Sequence, residues 1–218
     1  MPRSEQLPSR SVVGGKPCTF TQRLKEIGMF FQKRDPVHQT MRRTARRLEK
    51  AGISYAIMGA MAVNAHGAER TTSDVDVLLT KEGLDRFRRE LVGKFYDPIP
   101  GRSRRFVERK SGIRVDILVT GHYPGRGEPK PFPFPDPDQA SEEIAHTRVV
   151  TLPQLVQLKL AAGRYYDFGD VTFLIRVRNL DESFLEKIHP AVRQDFLACL
   201  DEAQEEKRRE EEYDARED

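Results

Sequence analysis

The sequence predicts an α+β fold in which strands and helices alternate up to about residue 150 and helices alone follow. Three observations carry this reading. Short β-branched and aromatic runs, bounded by glycine or polar turns, recur between residues 53 and 119. Apolar residues at helical spacing separate them, and after Thr151-Leu152-Pro153 the pattern is helical throughout. No apolar run approaches the roughly 18 residues that a membrane-spanning helix needs.

The elements follow in chain order. Residues 1–20 are rich in Pro, Ser and Arg and lack a hydrophobic period, so a disordered tail is expected there. From Pro36 to Lys50, Val37, Met41, Ala45 and Leu48 recur on one helical face, and Gly52 supplies the stop. Ile53 to Met58 reads as a buried strand; Gly59 breaks it, and a short helix from Ala60 ends at Gly67. Asp74 to Leu79 is a second strand, and Lys81 to Val92 an amphipathic helix with Leu84, Phe87 and Leu91 on one face. Phe106–Glu108 and Arg114–Val119 read as further strands joined by a Ser111-Gly112 turn. Gly121 to Gln139 holds six of the 14 prolines, too many for regular structure, so a long functional loop or linker is expected. Domain limits follow: an α+β domain over 21–150, a helical region packed on it over 151–203, and a charged tail over 204–218 that frays from a solvated helix.

Two cysteines, Cys18 and Cys199, make neither a disulfide framework nor a metal knuckle. No secretory leader is visible, and a reducing, cytoplasmic setting is expected. The net charge of +3 is too mild to argue for nucleic acid by itself. Its distribution is more informative: basic residues crowd Arg42 to Lys50 and Arg102 to Arg114. Either cluster could hold an RNA backbone or form a solvated face, and no RNA-binding module is recognisable.

The chemistry concentrates on Asp74 and Asp76. Two apart on a strand, they point to one face with Cα atoms roughly 7 Å apart. Two carboxylates so close repel each other unless a cation lies between them, and Mg²⁺ takes one or two carboxylates plus water and phosphate oxygens. Asp116 stands alone among apolar neighbours in Arg114-Val115-Asp116-Ile117-Leu118-Val119 and reaches the same face if the two strands pair. Three such acids suit metal-assisted nucleotidyl or phosphoryl transfer, two as ligands and one as base or second-ion ligand. The alternative is that these acids cap strand ends or bridge to arginines. Upstream, the Gly59-Ala60 junction offers a helix N-terminus for a phosphate, although most such glycines only turn the chain. Arg70 fits a phosphate or a salt bridge, His66 a helix-end packing role, and His122 and Tyr123 open the Pro-rich loop where an acceptor site could lie.

These residues resemble a known signature. Met58-Gly59-Ala60, Ala65-His66-Gly67, Arg70-Thr71-Thr72-Ser73-Asp74-Val75-Asp76 and Val115-Asp116 are similar to that of the nucleotidyltransferase superfamily. Arg-x-Thr-x-Asp-x-Asp resembles the minimal, abortive-infection-toxin-like (AbiEii-type) branch, as does Leu158-Lys159-Leu160-Ala161-Ala162-Gly163-Arg164 followed by Asp167 and Asp170. The resemblance spans about residues 53–178. It implies a mixed β-sheet flanked by helices, with Asp74, Asp76 and Asp116 as catalytic metal ligands for Mg²⁺ or Mn²⁺. It also implies a nucleotide site of Gly59, Ala60, Arg70, Ser73, Lys159, Arg164 and Asp170, with an NTP such as ATP as substrate. The acceptor would be a hydroxyl on RNA such as tRNA, on protein or on a small molecule, and a toxin paired with an antitoxin partner is one possible role. Ala60 departs from the pattern, which has Gly or Ser there. The backbone N–H remains but a phosphate-touching hydroxyl does not, so a weak or non-catalytic nucleotide- or partner-binding module is the competing expectation.

Overall fold

The structure is a computed structural model that describes residues 35–125 and 130–217. Its first helix, α1 (Pro36–Lys50), begins with Pro36 at its first turn and with Asp35 accepting from the Val37 and His38 amides. Gly52, with φ of +60°, then turns the chain into β1 (Tyr55–Met58). The short α2 (Gly59–Ala65), β2 (Asp74–Leu79) and α3 (Lys81–Glu90) follow. Next come β3 (Tyr96–Ile99), β4 (Arg102–Glu108) and β5 (Arg114–Val119). The remainder is α4 (Pro137–Ala140), β6 (Ser141–Ile144), β7 (Thr147–Val150), α5 (Leu152–Ala162), α6 (Tyr165–Arg178), two 3-10 turns and α7 (Arg193–Glu217).

Seven strands form one mixed sheet in the order β3-β4-β5-β2-β1-β7-β6. β2 runs parallel to β5 and antiparallel to β1, and β7 runs parallel to β1. The α+β class, the mixed sheet with flanking helices and the helical C-terminal half are therefore as the sequence predicts. Burial along β5 alternates: Val115, Ile117 and Val119 are buried, while Arg114, Asp116 and Leu118 are only partly so. α1 lies against β1, β2 and β7, and α3 against β2 and β5. An aromatic cluster ties α3 to the sheet edge, with Phe87 centred 4.9 Å from Tyr96 and 5.0 Å from Phe106. Such packing gives about 0.5–1.5 kcal/mol per ring pair beyond area burial.

Three strands escape the sequence reading. β3 contains Pro98, which demotes a strand, but β3 is the sheet edge, where a missing amide is tolerated. β6 and β7 form a hairpin whose turn places Ala145 and His146 at positive φ without a glycine, so the usual turn signal is missing. The Pro-rich segment is also less irregular than expected. Pro137 opens the one-turn α4 under an Asp136 cap, and Phe134 exchanges backbone bonds with Gly121 and His122. The charged stretch from residue 204 continues α7, and Arg176 pairs with its Glu206 and Glu210. The tail expected over residues 1–20 lies outside the described residues.

Among the described residues, no helix is long and apolar enough to cross a membrane.

Candidate active site

The parallel register of β2 and β5 sets Asp76 beside Asp116 and Asp74 beside Arg114. All three acids lie on the two central strands, on the sheet face that α1 and α3 leave open. Opposite them stands α5, whose Leu155, Leu158, Lys159 and Ala162 wall a cleft of about 1070 Å³. Asp76, Asp116, Met58 and Gly59 form its floor, and Arg102, Arg104 and Arg105 of β4 one rim. His122 and Tyr123 line it as well.

Gly59 is necessary here for two separate reasons. Its φ is +61°, a left-handed conformation that disfavours side chains, and a Cβ there would collide with the Asp76 carboxylate. The Asp76 carboxyl thus packs against the turn between β1 and α2. Met58 supplies no side-chain cap, so the first-turn amides of α2 are not satisfied by one. Ala60 is partly buried in that turn.

The acids are electrostatically crowded. Burial, then the neighbouring charges of Asp74 and Asp116, raises the Asp76 carboxyl to about 6, against the opposing pull of Lys159 and Arg114. Burial likewise raises Asp116, although Arg114 and Arg105 oppose it. Arg105 Nε lies 3.2 Å from Asp116 Oδ2, and Arg114 Nε 3.1 Å from Asp116 Oδ1. Arg114 also reaches Asp74 through Nη2. Thr72 Oγ1 donates to Asp74 Oδ1 at 2.8 Å, whereas the predicted Ser73 is exposed.

The helical half contributes a second charged cluster. Gly163, at φ of +70°, ends α5 and lets α6 fold back, so that Lys159 meets the first turns of α6. Lys159 is 7% exposed, and its Nζ bonds Asp170 Oδ2 at 2.5 Å and Asp167 Oδ1 at 3.2 Å. Arg70 also pairs with Asp170, and Arg164 with Asp167, its guanidinium 4.5 Å from the Tyr166 ring centre. This knot joins the loop before β2 to the helical half. Lys159 and Arg164 line the cleft, while Asp170 and Arg70 stand behind it, bonded to each other. His66 is buried, with Nε2 2.8 Å from the Val150 carbonyl, which makes it a packing residue.

The sequence reading allowed for bridges from the acids to arginines without naming Arg105 or Arg114, and it did not place Lys130 in the cleft. A hint was available, since Arg114 precedes Asp116 by two in a strand and therefore shares its face. Nothing in the sequence alone brought Lys130 to the end of α5, where its Nζ would lie 3.9 Å from a Cβ on Gly163.

Whether the acids fit a divalent cation can be tested on the chain itself. Among the described residues, no three His, Cys, Asp or Glu side chains are gathered closely enough to cage an ion. The donor set nevertheless suits a hard cation that needs only one or two carboxylates. Asp116 Oδ1 is buried without a hydrogen bond, and Asp76 is raised by burial and then by its acidic neighbours, whose repulsion a cation relieves. The residues fit the group.

No family model matches this chain, and no curated protein does. Solved structures of similar fold include JHP933 from Helicobacter pylori, at 13% identity, TM-score 0.43, and 83% of this chain over 96% of that one. Another is ANT(2″)-Ia in complex with adenylyl-2″-tobramycin, at 12% identity, TM-score 0.43, and 69% of this chain over 91% of that one. An antigenic nucleotidyltransferase-like protein from Paracoccidioides brasiliensis aligns at 14% identity, TM-score 0.43, and 77% over 87%. At such scores the functional reading rests on the residues of the site.

Proposed function

We propose that this chain is a divalent-cation-dependent nucleotidyltransferase that passes a nucleoside monophosphate from an NTP to a hydroxyl acceptor. The observation that carries the reading is the β2–β5 register, which sets Asp76 beside Asp116 on the floor of a cleft with a basic rim, with Asp74 two residues before Asp76 on the same strand. Asp74 and Asp76, with Asp116, are the residues that would hold Mg²⁺ or Mn²⁺. The bound cation would neutralise triphosphate charge and polarise the α-phosphorus for attack.

The remaining roles fall to the chain's own groups. Gly59 lets the Asp76 carboxylate and the α2 turn come together, and the backbone amides at Gly59 and Ala60 receive phosphate oxygens. Arg105, Arg104, Arg164 and Lys130 supply cationic partners along the cleft. Lys159 is committed to Asp167 and Asp170, so it acts by fixing α5 against α6, with Arg70 bracing the same knot. In the reaction the acceptor oxygen bonds to the α-phosphorus, the α–β bridging P–O bond breaks and pyrophosphate leaves. Asp116, with its raised carboxyl, takes the acceptor proton. Ser73 is exposed and has no part in this reading. RNA such as tRNA, a protein side chain and a small molecule are the acceptor classes, and an antitoxin partner belongs to the toxin version of the role.

The competing reading, a non-catalytic nucleotide-binding module, is favoured by Ala60 and by the ion pairs from Arg114 and Arg105 to the acids. Incubation with each α-labelled NTP, Mg²⁺ and total RNA or cell extract separates the two. Label transfer abolished in Asp74→Ala and Asp76→Ala supports the enzyme and identifies its acceptor. NTP binding without transfer for all four nucleotides supports the module.

A further inference from the structure

Two arginines reach Asp74 and Asp116, and the two are held differently. Arg105 comes from β4 and, among the described residues, pairs with Asp116. Arg114 comes from β5 itself and straddles Asp116 and Asp74. We propose that Arg114 is a built-in counter-ion that competes with the divalent cation for Asp74 and Asp116, so that cation and nucleotide bind together rather than separately. The proposal rests on the reading of these acids as cation ligands.

The geometry supports displacement. Arg114 Nε and Asp116 Oδ1 are 3.1 Å apart, yet both are buried without a hydrogen bond. The Nε–Oδ1 contact is misaligned for a hydrogen bond, so it is weaker than the bond that Arg114 makes from Nη2 to Asp74. The Arg114 side chain is also 42% exposed, so its guanidinium has room to leave on a flexible stem. Asp116 remains held by Arg105 when it does.

What Arg114 meets next decides the coupling. A cation binding alone would displace it beside Arg105, which already pairs with Asp116 and carries like charge. A triphosphate would give it an anionic partner, for which a planar guanidinium is well suited. Each ligand therefore lowers the cost of binding the other, and linkage makes the effect reciprocal.

The test is a Mn²⁺ titration followed by the EPR signal of free hexaaqua Mn²⁺, with and without a mixture of the four α,β-methylene NTP analogues. Wild-type protein is expected to bind Mn²⁺ about tenfold more tightly with the analogues present. Arg114→Gln should bind Mn²⁺ about tenfold more tightly than wild type without them, and lose most of the nucleotide effect. Arg114→Lys, which keeps the charge but cannot span both carboxylates, should fall between and covers the case in which Arg114→Gln does not fold. Arg109→Gln removes the same charge from an exposed arginine that pairs with Asp97 outside the cleft, and should shift affinity less than about twofold. Equal shifts in Arg109→Gln and Arg114→Gln, or unchanged Mn²⁺ affinity in a folded Arg114 variant, would overturn the proposal and leave the cation site standing. No Mn²⁺ binding by any variant, with or without analogues, would overturn both.

Discussion

Glu108 on β4 and Asp116 on β5 are acids on neighbouring strands, each flanked by two arginines, yet they behave in opposite ways. Glu108 shares its strand face with Phe106, turned toward α1, and is fully buried. Burial alone would raise its carboxyl. Hydrogen bonds from Arg43, Ser111 and Arg47 outweigh that and hold it down at about 2. Arg43 contacts both of its oxygens, at 2.7 and 2.5 Å, and Arg47 and Thr40 complete the set. Asp116 lies on the other face, beside acids, where burial and then Asp74 raise its carboxyl against the opposing pull of Arg114 and Arg105. A buried acid whose every oxygen is bonded is structure; a crowded one with an oxygen left over is a candidate for a ligand. The same contrast divides the basic residues: Arg43 and Arg47, candidates for RNA from sequence, are committed to Glu108.

The largest expected effect tests the open end of this contrast. Asp74→Ala or Asp76→Ala should lower nucleotidyl transfer at least about 10²–10³-fold, read as label incorporation, with urea midpoints close to wild type. Loss of folding in both would move these acids into the structural class with Glu108.

Glu108→Gln should instead cost about 3–5 kcal/mol of stability at pH 7, because two arginines lose their counter-ion in a buried place. Urea denaturation followed by circular dichroism measures it. Because the folded carboxyl is depressed, its stabilisation is present above the unfolded value of 4.5 and disappears as pH falls toward about 2. Wild type should lose stability across that window and Glu108→Gln should not show that component.

Gly59→Ala comes next, with about 1–3 kcal/mol lost to left-handed strain and to the collision with Asp76. A larger drop in transfer than in thermal stability is expected. Equal small losses would separate Gly59 from the site.

Asp76→Asn should have the smallest effect and the opposite sign. The folded carboxyl is raised, so its protonated form stabilises the fold below the unfolded value near 3.8 and that contribution is lost as pH rises through about 6. Removing the charge should therefore stabilise the cation-free protein above pH 6, by about 1–2 kcal/mol. Saturating Mn²⁺ should reverse the order of the two melting temperatures.

Much of this was readable in advance, and the gaps have physical causes. Asp74 and Asp76 declare themselves because two charges in an apolar strand violate its own pattern. Their position on a shared face needs only the two-residue strand period. Arg114 obeys the same period but reads as a polar strand end until β2 is laid parallel to β5. Lys159 reads as one face of a helix, and only the fold-back at Gly163 buries it between Asp167 and Asp170. Tyr96 packs on Phe87 from β3, a strand that Pro98 argued against.

Local pattern was enough for the order of most elements, the α+β class and the acids themselves, since strand and helix periods act over a few residues. Tertiary structure alone decided that Asp116 stands beside Asp76, that Arg114 stands between the acids, and that Glu108 is closed while the cleft is open. Those facts depend on strand register and on which sheet face the helices cover, set by contacts between residues far apart in the chain.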